Sequence, residues 1–342
     1  MGPFWSGPLD YRLPEALIAQ QPAPERASSR LMVLDRASGT IQHRAFGDIV
    51  NLLAPGDALV VNDSRVIPAR LIGQRKSGGL VEALVLSRSE RPCPVMLRSS
   101  KKLQDGEVLT FGAHFSAVVS GPVVAGRGRL DFGEVAVERI LEARGEIPLP
   151  PYIHRDGPPP LADRERYQTV YATHDGSVAA PTAGLHFTSE LLECISARGI
   201  DIERITLHVG PGTFAPIRGE LVTHRMERED CVVPSALVDR LTRTRAAGDR
   251  VVAVGTTTVR ALESAAASGR LRPFAGATDL FVRPGHRFAA IDALLTNFHL
   301  PGSTLLCLVM AFAGEEFTRR AYEIAVTEEY RFYSYGDAML VV

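Results

Sequence analysis

The rhythm of apolar and polar positions changes along the chain. Over roughly the first 66 residues it is mixed: residues 13–20, after Asp10, fit a short helix. Residues 58–61, behind the turn Pro55-Gly56-Asp57, form a continuous apolar run that reads as a buried strand and stops at the polar loop Asn62-Asp63-Ser64-Arg65. From 67 to 133 short β-like pieces recur at 80–86, 108–111, 115–119 and 128–132, separated by the turn signals Ser77-Gly78-Gly79, Asp105-Gly106 and Gly121-Pro122. Short strands at this spacing predict a small β-barrel or sandwich. Residues 135–143 follow as a helix closed by Gly145. Pro148, Pro150, Pro151, Pro158, Pro159 and Pro160 then crowd a stiff stretch that marks a domain boundary.

Beyond 165 strand and helix patterns alternate. Thr188 or Ser189 caps a helix through Leu191, Leu192 and Ile195 that stops at Gly199, and residues 202–209 read as a strand. Residues 251–254 form a strand running into Gly255-Thr256-Thr257-Thr258 and a helix over 260–267. Two more helices cover 304–313 and 315–329, and 338–342 reads as a closing strand. The expected fold is an α/β domain with a mostly parallel sheet, over 1–66 and 151–342, interrupted by an inserted small β-barrel domain over 67–150.

A length of 342 residues suits about two domains and more than one core, and 45% apolar residues are too many for disorder. The 38 basic residues balance 39 acidic ones, for a net charge of −1. That excludes a general polyelectrolyte, so any RNA contact needs positive charge gathered locally. Only three basic residues are lysines, Lys76, Lys101 and Lys102, and with Arg70, Arg75 and Arg98 they form the densest basic cluster. It reads either as an RNA-facing side of the barrel or as an ordinary solvated surface; Arg164 and Arg166 make a weaker cluster. Cys93, Cys194, Cys231 and Cys307 are scattered without a C-x-x-C pair, which suits a reducing compartment and speaks against structural zinc. No basic residue precedes an apolar stretch at the N-terminus, and the longest apolar run, 305–313, is far short of the roughly 20 residues of a membrane span. A cytoplasmic monomer that does not enter membranes is expected.

Four segments join buried-looking elements to Gly, Pro and polar residues. They are Ala179-Ala180-Pro181-Thr182-Ala183-Gly184-Leu185-His186-Phe187, Leu207-His208-Val209-Gly210-Pro211-Gly212-Thr213-Phe214, Gly255-Thr256-Thr257-Thr258-Val259-Arg260 and Thr296-Asn297-Phe298-His299-Leu300-Pro301-Gly302-Ser303-Thr304. Strand ends in a parallel sheet are where α/β proteins place ligands; glycine admits close approach, threonine supplies hydroxyls, and a helix start presents free N–H groups. Each segment also has a structural reading: hydrogen-bonded core histidines, a tight turn at Gly210-Pro211-Gly212, and plain helix capping by Thr256 or Thr257. His224-Arg225-Met226-Glu227-Arg228-Glu229 would put His224 and Glu227 on one helix face, as an acid/base pair or as a solvated charged face. It lacks the second histidine of H-E-x-x-H and is not a metal site. No P-loop, dinucleotide glycine loop or G-x-S-x-G elbow occurs. These residues point to an α/β enzyme with several histidines and RNA contact, and they do not name the reaction.

Together the segments resemble one family, the S-adenosylmethionine:tRNA ribosyltransferase-isomerases of queuosine biosynthesis. The resemblance runs from Leu9-Asp10-Tyr11-Arg12-Leu13-Pro14 and Leu17-Ile18-Ala19-Gln20 through Val61-Asn62-Asp63-Ser64-Arg65-Val66-Ile67-Pro68-Ala69-Arg70-Leu71. It continues in Ile147-Pro148-Leu149-Pro150-Pro151-Tyr152-Ile153, Arg166-Tyr167-Gln168-Thr169-Val170-Tyr171-Ala172 and the four segments above, and ends in Tyr330-Arg331-Phe332-Tyr333-Ser334-Tyr335-Gly336-Asp337-Ala338-Met339. It implies a β-barrel inserted in an α/β domain. It also implies transfer and isomerisation of the ribosyl part of S-adenosylmethionine onto 7-aminomethyl-7-deazaguanine at the wobble position of a tRNA anticodon. The product is epoxyqueuosine-tRNA; adenine and methionine leave, and no metal takes part.

Each chemical step in that reaction moves a proton near neutral pH, which suits histidine. The resemblance therefore makes His186, His208 and His299 candidates around the ribose, with Thr213, Thr256, Thr257 and Asn297 orienting it. Thr182, Gly184, Gly210, Gly212 and Arg260 join the substrate-binding set, and Arg70, Lys76, Arg98, Lys101 and Lys102 the RNA-binding set. The family usually has a second histidine where Glu227 stands, which leaves His224 and Glu229 as the retained pair. It commonly has Asp at Ala27, and Trp and Pro-Gly near Leu97-Arg98-Ser99-Ser100-Lys101-Lys102. The rival readings are a non-catalytic RNA-binding module and an S-adenosylmethionine-dependent tRNA methyltransferase; the missing glycine loop counts against the second.

Overall fold

The computed structural model describes residues 4–155, 157, 160–214, 217 and 221–342, so Pro158 and Pro159 of the expected boundary lie outside the described residues. The chain divides into two units, one of Met1–Arg65, Pro151–His154 and Arg166–Val342, the other of Val66–Pro150 and Arg155–Glu165. The stretch Arg155–Glu165, expected with the α/β part, falls in the second unit, where Arg155 and Gly157 line a cavity with Arg70, Arg144 and Glu146.

The strands, in chain order, begin with β1 (Arg30–Asp35), β2 (Thr40–Ala45), β3 (Ala58–Asn62) and β4 (Ser64–Val66). The second unit holds β5 (Arg70–Arg75), β6 (Leu80–Val85), β7 (Cys93–Ser99), β8 (Val108–Phe111), β9 (Phe115–Val119) and β10 (Arg127–Asp131). The first unit resumes with β11 (His174–Ser177), β12 (Asp201–Leu207), β13 (Glu229–Val233), β14 (Val251–Val254), β15 (Phe274–Thr278), β16 (Ala293–Asn297) and β17 (Ala338–Val341).

In the first unit a nine-stranded sheet runs in the order β15-β13-β12-β3-β14-β16-β17-β1-β2. Its centre is parallel, with β12, β3, β14 and β16 pairing Ile202 with Leu59, Val252 with Leu59 and Val254 with Leu295. Its flanks are mixed: β12·β13, β13·β15, β16·β17 and β1·β2 pair antiparallel, and β17·β1 parallel. The expectation of a mostly parallel sheet therefore becomes a mixed sheet with a parallel core. Two helices rather than one, Thr304–Ala313 and Glu315–Thr327, separate β16 from β17, and the chain returns in the opposite direction. Alternate residues of β3 serve different cores: Ala58 and Val60 join Met32, Ala253 and Leu294, whereas Leu59 and Val61 join Leu31, Val252 and Leu295. Burial on both faces explains why 58–61 is apolar without alternation.

Local readings differ in three places. Residues 13–20 form only a three-residue turn, Glu15–Leu17. Beyond it the backbone is used crosswise: the Ala19 N–H donates to Phe332 O at 3.2 Å and the Phe332 N–H to Leu17 O at 2.7 Å. The helix after β14 starts at Thr256, four residues earlier than expected. The 221–228 segment is not helical, so His224 and Glu227 share no helix face.

In the second unit six antiparallel strands close a barrel in the order β10-β7-β6-β5-β8-β9. Val81, Ala83, Val95, Leu109 and Phe111 fill its interior. Among the described residues no helix is long and apolar enough to cross a membrane.

Candidate functional site

The four parallel central strands end side by side, and each carries polar residues at or just past its last position: Asn62 on β3, His208 after β12, Gly255 and Thr256 after β14, Asn297 on β16. Three of the predicted segments, with the loop after β3, thus meet at one edge, the place where an α/β sheet leaves a crevice. A small, partly open cavity of about 20 Å³ lies there. Thr182, Thr213, Thr256, Thr257, Asn297 and His299 line it, together with Thr296 and Tyr333. The structure brings these six predicted residues together. It does not bring Gly184, His186, His208, Gly210, Gly212, His224, Glu229 or Arg260 onto the cavity lining.

Most of those others sit directly behind the wall. The Asn297 amide donates to His186 Nε2 at 3.1 Å and its carbonyl oxygen accepts the Thr182 hydroxyl at 3.0 Å. His186 Nδ1 lies 2.7 Å from the Ser29 hydroxyl, and its ring stacks on Phe46 at 4.8 Å. Both ring nitrogens are engaged, and burial, with the guanidiniums of Arg331 and Arg26, lowers its pKa to about 3. His299 is likewise lowered to about 3 by burial; its Nε2 lies 2.9 Å from the Thr296 hydroxyl. Both imidazoles are neutral at physiological pH.

His208 differs. It is half-buried, and its Nδ1 lies 2.8 Å from Ser64 Oγ, which lies 2.6 Å from Ser177 Oγ; Ser177 Oγ in turn accepts the Val209 N–H at 2.8 Å. The ring lies so close over Gly176 that a Cβ there would come within 2.6 Å of Nδ1, so this position tolerates no side chain. The loop after β3 is the hub of this region. Asn62 holds both main-chain groups of Leu207, its amide donating to the oxygen at 2.9 Å and its carbonyl accepting the N–H at 3.0 Å. The same amide donates to Thr257 Oγ1 at 3.2 Å.

Glu229 is a buried anchor. One carboxylate oxygen accepts the Gly210 N–H at 2.7 Å and the Thr213 hydroxyl at 2.6 Å. The other pairs with Arg260, itself 2% exposed, whose Nε donates to Leu280 O at 2.9 Å. This clasp fixes the turn that carries Thr213 to the cavity. Gly210 and Gly212 shape that turn, and the Glu227 side chain lies over Gly212. Gly184 serves packing, since a Cβ there would collide with the Tyr171 hydroxyl. His224 meets Phe281 edge-on at 5.2 Å, and no hydrogen bond or ion pair joins it to Glu229 among the described residues. Helix capping does not explain the threonines after β14. Gly255, at φ +87°, precedes the helix without a side-chain cap, Thr257 accepts from Asn62, and Thr258 donates to Val254 O at 2.6 Å. The first N–H groups of that helix lack intrahelical partners, at the cavity wall.

Sequence reasoning missed Asn62, Ser64, Ser177 and Tyr333 as site residues. Tyr333 has φ +75°, a conformation that costs a bulky residue about 1–3 kcal/mol. It is held by its N–H on Phe298 O at 2.9 Å and by the Tyr152 ring at 3.8 Å. The polar run Asn62-Asp63-Ser64 directly after a wholly apolar strand was the available signal.

On the barrel, Arg70 is committed to carboxylates, Glu82 at 3.1 Å and Glu146 at 3.4 Å, and Arg75 is committed to Glu107 at 2.6 Å. Lys76, Arg98, Lys101 and Lys102 are exposed. Among the described residues no group of three His, Cys, Asp or Glu side chains is placed to hold a metal ion.

The family model described as queuosine biosynthesis protein matches residues 7–341. An S-adenosylmethionine:tRNA ribosyltransferase-isomerase of Symbiobacterium thermophilum is 51% identical over 340 residues, covering 98% of both chains. One from Anaeromyxobacter sp. (strain K) is 52% identical over 343 residues, again covering 98% of both. The crystal structure of the S-adenosylmethionine tRNA ribosyltransferase of Thermotoga maritima is similar at a TM-score of 0.57 and 38% identity, over 98% of this chain and 100% of that one. With a match of that extent, and with residues of the four predicted segments lining one cavity, the chain belongs to the queuosine biosynthesis protein family.

Proposed function

We propose that this chain is an S-adenosylmethionine:tRNA ribosyltransferase-isomerase that moves the ribosyl group onto 7-aminomethyl-7-deazaguanine in a tRNA anticodon, gives epoxyqueuosine-tRNA, and releases adenine and methionine. The observation that carries the reading is the cavity at the ends of the parallel strands, in a chain of this family. Its polar wall is made of hydroxyls, one amide and a neutral imidazole, with no Lys or Arg among the lining residues. S-adenosylmethionine brings a sulfonium and a ribose: a wall free of cations does not repel the first, and Thr182, Thr213, Thr256, Thr257 and Asn297 offer partners to the second.

Within this reading the histidines divide their work. His208, half-buried, joined to Ser64 and Ser177 and one residue before the lining residue Val209, stands at the edge of the cavity rather than in its wall, and takes the proton from the ribose carbon next to the sulfonium when the ribose reaches that edge. His299 offers the cavity a neutral hydrogen-bonding ring, and His186 acts from behind as a positioning residue that orients Asn297. Glu229 and Arg260 position Thr213. Incubation with S-adenosylmethionine and tRNA bearing the aminomethyl base tests the whole. Adenine and methionine are expected in equal amounts. S-adenosylhomocysteine instead would make the protein a methyltransferase, and no product at all would leave an RNA-binding module.

A further inference from the structure

A second shallow pocket, partly open to solvent, lies in the same unit, on the other side of His186. Its lining includes three guanidiniums, Arg26, Arg166 and Arg331, along with Ser334 and the bare main chain of Gly336. These arginines come from three distant segments, Glu25-Arg26-Ala27-Ser28-Ser29-Arg30, Asp163-Arg164-Glu165-Arg166-Tyr167 and Tyr330-Arg331-Phe332-Tyr333. The fold holds each by main-chain oxygens. Arg26 donates to Leu185 O at 2.9 Å, Arg166 to Ala23 O at 2.7 Å and Pro24 O at 3.1 Å, and Arg331 to Gln21 O at 3.4 Å and to Tyr335 O. Among the described residues no carboxylate pairs with the Arg166 or Arg331 side chain; Asp337 receives the Arg331 main-chain N–H and the Arg30 side chain instead. The Nε of Arg166 is buried without a partner.

Among the described residues Arg166 and Arg331 bring two like charges without a carboxylate partner to one small cavity, where they repel one another unless an anion joins them, and carbonyl anchoring leaves several N–H donors of these two forks unused. Planar forks in this number suit the oxygens of a phosphate. We propose that this pocket holds a backbone phosphodiester of the tRNA substrate. One side chain, His186, separates it from the reaction cavity, since His186 lines the pocket and receives the Asn297 amide from the cavity wall. A phosphate gripped there would place the adjoining nucleotide at that wall. The methionine carboxylate is the other source of oxyanion chemistry. S-adenosylmethionine, however, carries an ammonium and a sulfonium beside its single carboxylate, and a net cation is repelled by the Arg166 and Arg331 guanidiniums. The RNA is the net anion.

The inference rests on tRNA being the substrate, and its test does not require turnover. Arg166→Gln and Arg331→Gln, singly and combined, are compared with wild type for tRNA and S-adenosylmethionine binding at several salt concentrations. The double variant is expected to bind tRNA about tenfold or more weakly and to flatten the log–log salt slope by about 0.7, the share of one phosphate, with S-adenosylmethionine affinity unchanged. Arg166→Lys, which keeps the charge, is expected to keep the slope. Weakened S-adenosylmethionine binding with an intact tRNA slope would assign the pocket to the carboxylate and overturn the proposal; so would no change in either. Should the double variant fail to fold, wild type and Arg331→Gln are compared with chloride replaced by sulfate at constant ionic strength. Sulfate is expected to weaken tRNA binding in wild type and less so in the variant, and equal sensitivity overturns the proposal. Absence of adenine release by wild type would instead defeat the enzymatic reading, which is a separate result.

Discussion

The reaction cavity of the first unit and the outer face of the barrel both draw on polar side chains, and they use them in opposite ways. In the cavity wall Asn297, His299 and Thr257 are at most 5% exposed, and each is held by neighbours that are themselves held, as Asn297 is by His186 and Thr182. On the barrel Lys76, Arg98, Lys101 and Lys102 stand in solvent, and Arg70 and Arg75 are bound to carboxylates. A buried network is worth more than its pairs, because any orphaned member stays desolvated; exposed cations act nearly independently and are screened by salt. The two regions should therefore answer mutation differently, the cavity in rate and stability together, the exposed cations of the barrel in salt-dependent affinity alone.

The sharpest contrast is expected at His208. His208→Ala removes the only half-buried histidine among the three placed at strand-end loops, and loss of one proton-transfer group costs about 10²- to 10⁴-fold. Single-turnover release of adenine should fall by that factor while tRNA affinity stays within about twofold. Ser64→Ala, which cuts the line to Ser177 but leaves the imidazole, should lose less, about tenfold. A wild-type rate in His208→Ala would move proton transfer to a residue of the cavity wall and blur the division between the two regions.

How much of this could be read from the chain follows the same division. The buried run 58–61, the helix capped by Thr188 and the barrel strands 108–111 and 115–119 were legible, because their burial pattern or cap is local. The hairpin of β1 and β2 was not noticed, although Leu31-Met32-Val33-Leu34 is as apolar as β3. Strand β7 was hidden by Pro94, a residue that argues against a strand. In the site, four loops of shared texture pointed to one place, and six of their candidate residues do line one cavity. What the spacing could not show is partnership. The resemblance left Glu229 paired with His224; its partners turned out to be Arg260, Gly210 and Thr213, from other segments of the chain. Tyr333 was invisible as a site residue because its role lies in a backbone angle.

The second contrast is in acid. His186 and His299, lowered by burial to about 3 in the folded chain, regain an ordinary value near 6.5 when unfolded. Between those values the unfolded state binds more protons, so stability is complete above about pH 6.5 and falls as the pH drops toward 3. Each histidine contributes up to about 1.4 kcal/mol per pH unit in that window. Urea unfolding between pH 7 and 4.5 should show this loss, and His299→Gln should roughly halve its slope. A stability independent of pH in that range would mean that these rings are solvated and the cavity wall is not the closed network described.

The smallest effect is expected on the barrel, and it separates cations that are available from cations that are spent. The main-chain oxygens of Lys101 and Lys102 accept from Arg75 at 3.2 and 3.5 Å, and those bonds survive truncation of the lysine side chains. Lys101→Ala combined with Lys102→Ala should therefore leave the melting temperature and S-adenosylmethionine affinity alone. It should flatten the salt slope of tRNA binding by about one unit, at about 0.7 per phosphate on a single strand. Arg70→Ala should do the reverse. Its guanidinium is shared between Glu82 and Glu146, so its loss leaves two part-buried carboxylates facing each other without their cation and lowers the melting temperature, with little change in the slope. Were Arg70→Ala to flatten the slope as much as the lysine pair, the ion pairs would have to open when RNA binds. The barrel would then share the interdependence that sets the cavity apart.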